Sequence, residues 1–223
     1  MKKTNLDNSK KQFTNLLKCT PSIILLGTVF ILSSCGDLSS ENAENISADS
    51  SGTTQSTIVK DKVDSSRIKE LKRNFRIEED EFSGSNKKWF RPKSSPAYTN
   101  KNGIYCYFQT VNDKPSNLRF RVQYYNDDWL FFNKIQFSID GTAYDYVPSN
   151  TETDSGNGGY IWEWFDENLT DIDKDFIYAL ANAKNAKMKF VGRQYFDVKT
   201  VTSNQIKGIK ETIELYNAMG GNY

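Results

Sequence analysis

Apolar residues recur at every second position through much of the later part of this chain. Leu118, Phe120, Val122 and Tyr124 alternate with Arg119, Arg121 and Gln123, the period-two pattern of a strand with one buried face. Ile135, Phe137 and Ile139 alternate with Lys134, Gln136 and Ser138 and stop at Asp140-Gly141, a pair that favours a tight hairpin turn returning through Thr142 to Val147. Ile104, Cys106 and Phe108 define another strand, and Trp162 and Trp164 sit in phase in a further one. Two tryptophans so placed are more often core than ligand platform. Lys187 to Val191 predicts a late strand, and Phe82 to Phe90 predicts one near the start.

Two stretches change to helical spacing. Thr170 and Asp173 form a capping box ahead of Phe176, Ile177, Leu180 and Ala181 on one face. Thr202 and Gln205 cap a second helix, in which Ile206, Ile209, Ile213 and Tyr216 recur before Gly220-Gly221 stops it. Strands in a meander, then helix, strand and helix, predict an α+β domain: an antiparallel sheet with two helices packed on it. A β-sandwich with peripheral helices is the alternative.

Ahead of this domain the pattern breaks. Five lysines and one aspartate precede the apolar run Ile23–Leu32, which Ser33-Ser34-Cys35 follows. A basic head, a short apolar core and small residues before a cut are the layout of a secretory signal peptide. The run is too short for a transmembrane span, which takes about 20 apolar residues. Leu32-Ser33-Ser34-Cys35 also resembles a bacterial lipobox. That resemblance implies cleavage after residue 34 and lipidation of Cys35, hence export and attachment to the cell envelope, with the outer membrane expected.

From Gly36 to about Ser66 the chain is rich in Ser, Asn, Thr, Asp and Glu and has no aromatic residue. Such a segment buries too little surface to offset its ordering entropy and reads as a disordered tether over 35–66. Its reach is roughly 30 Å. The following residues, 67–223, hold all four tryptophans and form one domain with one core, expected to be monomeric.

Charge and composition then exclude several functions. Loss of the leader leaves 24 basic and 27 acidic groups, a formal charge of −3 in place of +1. Nucleic-acid binding usually leaves a concentrated basic footprint, so no nucleic-acid partner is expected. With Cys19 in the leader and Cys35 lipidated, Cys106 is left alone in phase with Ile104 and Phe108, and reads as a buried apolar residue. The chain has no histidine, which removes Ser-His-Asp and Cys-His catalysis and the commonest metal ligand. No cofactor or metal is expected.

The remaining candidates are weak or local. Asp171-x-Asp173-x-Asp175 opens like a calcium loop, but Phe176 and Asn182 stand where glycine and glutamate belong. Acids in a helix's first turn are explained by its dipole. Thr151 to Gly159 is an oxygen- and glycine-rich loop without P-loop spacing. Glu163, Asp166 and Glu167 are the best carboxylate cluster for acid–base work, with Trp162 and Trp164 as sugar platforms. Gly192 to Lys199 places alternating polar groups before the second helix and reads as a turn leading to it. The polar face of the sheet is the more interesting surface: Arg119, Arg121 and Gln123 on one strand, with Tyr105 and Tyr107 out of phase with the core of its neighbour. Arginine and tyrosine are enriched where proteins bind other molecules.

Leu118 to Tyr124, Ile161 to Trp164, Ala181 to Lys187 and Gly192 to Asp197, with the lipobox and the Ser/Asn-rich tether, resemble uncharacterised Bacteroides-type lipoproteins. The resemblance implies an envelope protein held to the membrane by lipid on Cys35. The expected function is a non-enzymatic binding or interaction module, its partner an envelope protein or glycan. The alternative is a carboxylate-dependent glycan hydrolase.

Overall fold

The computed structural model describes residues 65–223; the leader, Cys35 and the tether up to residue 64 lie outside the described residues. In chain order the described elements are helix α1 (Ser65–Lys72), then strands β1 (Phe75–Asp80), β2 (Lys87–Pro92), β3 (Gly103–Val111) and β4 (Lys114–Asn126). Next come β5 (Lys134–Ile139), β6 (Thr142–Tyr146), β7 (Glu152–Ser155) and β8 (Ile161–Asn168). A 3-10 turn (Asp171–Asp173) leads into α2 (Lys174–Ala181), and β9 (Ala186–Val191), β10 (Phe196–Val201) and α3 (Ser203–Ala218) finish the chain.

The strands form two antiparallel sheets. One has six strands in the order β1-β2-β3-β4-β8-β7; the other has four, in the order β10-β9-β5-β6. The fold is therefore α+β, with two sheets and three helices among the described residues. The hydrophobic alternation sets the register. Leu118, Phe120, Val122 and Tyr124 are all buried, as their spacing predicts. Across β4 they meet Phe165 on β8 and, from the smaller sheet, Tyr146 and Phe190, with ring centroids 5.0 to 5.6 Å apart. Phe176 of α2 lies 5.8 Å from Phe120 and 4.8 Å from Phe137. Phe120 stands at the centre of this cluster, where truncation to alanine costs about 3–5 kcal/mol.

The smaller sheet and α2 cover part of the larger sheet's inner face. Helix α3 covers the rest: its Tyr216 ring lies 5.4 Å from Phe108, and its Thr212 hydroxyl donates to the Cys106 carbonyl at 3.2 Å. All the helix-to-sheet packing described here is on this inner face.

Local chemistry accounts for the element ends. The Asp140-Gly141 hairpin forms with φ of 48° and 91°, the pair of positive values that a two-residue turn between twisted strands requires. Both capping boxes are present, Thr170 with Asp173 and Thr202 with Gln205. Between β3 and β4 the register slips by one residue past Tyr107, with Asn117 at φ 48° as the extra residue of a bulge.

Five elements depart from the expectations. α1 starts at Ser65, inside the stretch expected to be tether, because Leu71 gives this short charged helix one buried anchor. The first strands are β1 and β2 rather than Phe82 to Phe90: Phe82 is fully exposed in the turn between them. β1 escapes pattern reading because an edge strand with Glu78-Glu79-Asp80 buries little. β10 and β7 escape for the same reason: both lie at sheet edges, and all four residues of β7 are exposed.

Candidate functional site

Period two sends the other half of each strand of the larger sheet to its outer face. Registry aligns Arg76 with Arg91, Glu78 with Trp89, Tyr105 with Arg121, Tyr107 with Arg119, Arg121 with Asp166 and Gln123 with Trp164. The five residues expected to share a polar surface, Tyr105, Tyr107, Arg119, Arg121 and Gln123, are thus brought together. Arg76, Glu78, Trp89 and Arg91 join them from strands that sequence reading misplaced. Their alternation around Ile77 and Phe90 was the available signal.

Asp166 is the hub. Its Oδ1 accepts from Arg119 Nε at 2.7 Å, and its Oδ2 accepts from Arg121 Nη1 at 3.0 Å and from the Tyr107 hydroxyl at 2.6 Å. Burial, reinforced by the bond to Asp166, pushes the Tyr107 phenol up and keeps it a donor. Burial also raises the Tyr105 phenol. The Tyr105 hydroxyl bonds to Gln123 Oε1 at 3.1 Å. Arginines and rings interleave across the face: Arg91 lies 5.3 Å from the Tyr107 centroid, Arg119 6.0 Å from the same ring, and Arg121 5.8 Å from Trp164. Such contacts hold the guanidiniums at fixed positions on the sheet.

A loop roofs one end of this face. Gln123 is 1% exposed, and its Nε2 lies 3.0 to 3.1 Å from the carbonyls of Tyr98, Thr99 and Lys101. Arg76 Nη2 donates to the Ser95 carbonyl and hydroxyl at 2.9 and 2.6 Å. Gly103 allows the close approach, since a Cβ there would stand 2.6 Å from Pro96 Cγ. Between loop and sheet lies a polar cleft of about 280 Å³, lined among others by Arg76, Glu78, Arg91, Tyr98, Tyr105 and Arg121.

The carboxylates proposed as an acid–base pair do not meet. Asp166 faces out, whereas Glu163 points into the core and is 0% exposed. Glu163 Oε1 accepts from the backbone N–H of Leu130 at 2.7 Å and of Phe131 at 2.9 Å, and Oε2 from that of Phe132 at 2.9 Å. This clamp holds Phe131 at φ 51°, an uncommon conformation for a bulky residue. Glu167 bonds Ser149 and Tyr146. Trp162 and Trp164 are half-buried on the outer face; Ile161 and Phe165 take the core phase instead. The core reading of those tryptophans is therefore corrected: phase alone does not say which phase is inside.

The other candidates resolve into structure. Asp173 Oδ2 accepts from the Thr170 N–H and hydroxyl, both at 2.8 Å, in the cap. The Thr151–Gly159 stretch is strand β7 followed by a turn. Cys106 is fully buried. Among the described residues no group of three or more Cys, Asp or Glu is placed to hold a metal ion, and no helix is long and apolar enough to cross a membrane. Compared with known proteins, the chain matches no family model, no curated protein and no solved structure.

Proposed function

We propose that the protein is a lipid-anchored component of a bacterial cell envelope whose outer sheet face binds another molecule without chemical turnover. One observation carries the reading. Four guanidiniums (Arg76, Arg91, Arg119, Arg121) interleave with the rings of Trp89, Tyr105, Tyr107 and Trp164 on a face that no described helix packs on. Arginine, tyrosine and tryptophan on a rigid sheet make a surface that recognises ligands with little loss of side-chain entropy. The leader and the Leu32-Ser33-Ser34-Cys35 motif support the anchored location.

The test has two parts. Cys35→Ala is expected to move the protein from the membrane fraction to the soluble fraction or to leave an uncleaved precursor; unchanged processing and partitioning refute the anchor. Full chain bearing Arg119→Ala and Arg121→Ala is expected to lose most of its capture of a partner from envelope extracts while its melt stays cooperative. Capture equal to that of the unsubstituted protein refutes the surface.

A further inference from the structure

The cleft beneath the loop is unevenly charged. Arg76 bonds neutral oxygens only, those of Ser95 and Pro96, and has no carboxylate within ion-pair reach among the described residues. Arg121 shares Asp166 with Arg119, and its Nε is buried with no hydrogen-bond partner. Arg91 is engaged by Glu78, whose side chain is about half exposed at the cleft wall. Three guanidiniums thus face the cleft with one lining carboxylate, and that carboxylate sits on a side chain free to swing into solvent.

Resting on the binding function proposed above, we infer that this cleft takes the carboxylate of an acidic sugar, which displaces Glu78 from Arg91 and gains Arg76. Glu78 already shows that a carboxylate fits against this guanidinium, and the paired fork geometry of arginine suits that group. The cleft has room for a single ring. At its rim the Tyr98 side chain is 72% exposed, a flat apolar surface for the face of a pyranose. An extended peptide is less well served: the open edge beside the cleft is β1, a six-residue strand ending in Glu78-Glu79-Asp80, a short acidic rim that discourages strand addition.

The experiment titrates the purified full chain with glucuronate, following amide and arginine Nε–H resonances, alongside glucose, inorganic phosphate and N-acetylglutamate. Glucuronate is expected to saturate and the other three to give no saturable shift. Arg91→Gln is expected to weaken glucuronate by about tenfold or more, the loss of a charge-assisted bond. Tyr98→Ala, at an exposed position that leaves folding intact, is expected to weaken it by about threefold or more through lost ring contact. Glu78→Gln removes the internal competitor and is expected to tighten binding, by about threefold. No saturation with glucuronate overturns the inference, as does equal binding of glucose, phosphate or N-acetylglutamate, or weaker binding in Glu78→Gln. If glucuronate fails while Arg119→Ala with Arg121→Ala still abolishes partner capture, the binding face stands and only the acidic-sugar assignment falls.

Discussion

Glu163→Gln isolates the energetic role of the one buried carboxylate among the described residues. In the native protein its two oxygens accept three backbone N–H groups, two at Oε1 and one at Oε2. Glutamine keeps an oxygen at one position only. With that oxygen in place of Oε1, the bonds to Leu130 and Phe131 survive but fall from about 1.5–3 kcal/mol to about 1 kcal/mol each. At the other position an NH2 group meets the Phe132 N–H, donor against donor, and the stranded donor costs about 1–3 kcal/mol more. Removing a buried charge returns part of this, so the net loss is about 2–4 kcal/mol. For a domain of this size that is a fall in Tm of about 5–15 °C. Glu163→Met strands all three donors and is expected to lose more. Urea and thermal unfolding, followed by circular dichroism, measure both. A loss below about 1 kcal/mol in Glu163→Gln, or Glu163→Met proving the more stable of the two, refutes the clamp as described.

Cys106 is fully buried, and burial pushes its thiol pKa far up. Iodoacetamide is therefore expected to leave it unmodified in the native protein at about pH 9, where a free thiol would be largely thiolate, and to alkylate it at once in urea; rapid native alkylation contradicts the packing. Asp140 accepts the backbone N–H groups of Lys184 and Asn185, which holds its carboxyl below the usual carboxylate range. Because the folded pKa lies below the unfolded one of about 3.9, its contribution is complete above that pH and fades as pH falls through the folded value. Asp140→Asn keeps a residue suited to the hairpin turn, so it is expected to be less stable than the native protein at neutral pH and to converge with it in acid. A difference independent of pH argues against the carboxylate's role.

The parts of the fold legible in the sequence are those where one physical cause dominates. β4, β5 and the Asp140-Gly141 turn follow from strict alternation and from the backbone freedom of the turn pair. α2 and α3 follow from capping boxes ahead of apolar stripes. β1, β7 and β10 are set instead by hydrogen bonding to a neighbour, and an edge strand can form with hardly any apolar residue of its own. The grouping of Tyr105 and Tyr107 with Arg119 and Arg121 was legible because neighbouring strands in a meander share a face. The partners from β1 and β2, and the role of Asp166 as their shared acceptor, depend on registry between distant strands. Glu163 shows the limit most clearly. Its place between Trp162 and Trp164 suggests an exposed carboxylate beside two buried rings, and the fold inverts the phase because three amides of the β4–β5 connection need an acceptor inside.

The four outermost strands carry a consequence for molecules crowded on a surface. β1 ends in Glu78-Glu79-Asp80, β7 is a four-residue strand bearing Glu152 and Asp154, β6 carries Asp145, and β10 carries Asp197 and Lys199. The lipid anchor proposed above would hold many copies in one plane at high local concentration, the condition under which unpaired strand rims join copy to copy. Mostly acidic and short, these rims repel their own kind and offer little length to zip. The sheets thus end where they do by charge as much as by geometry, and rims of this kind would keep neighbouring copies apart in such a layer.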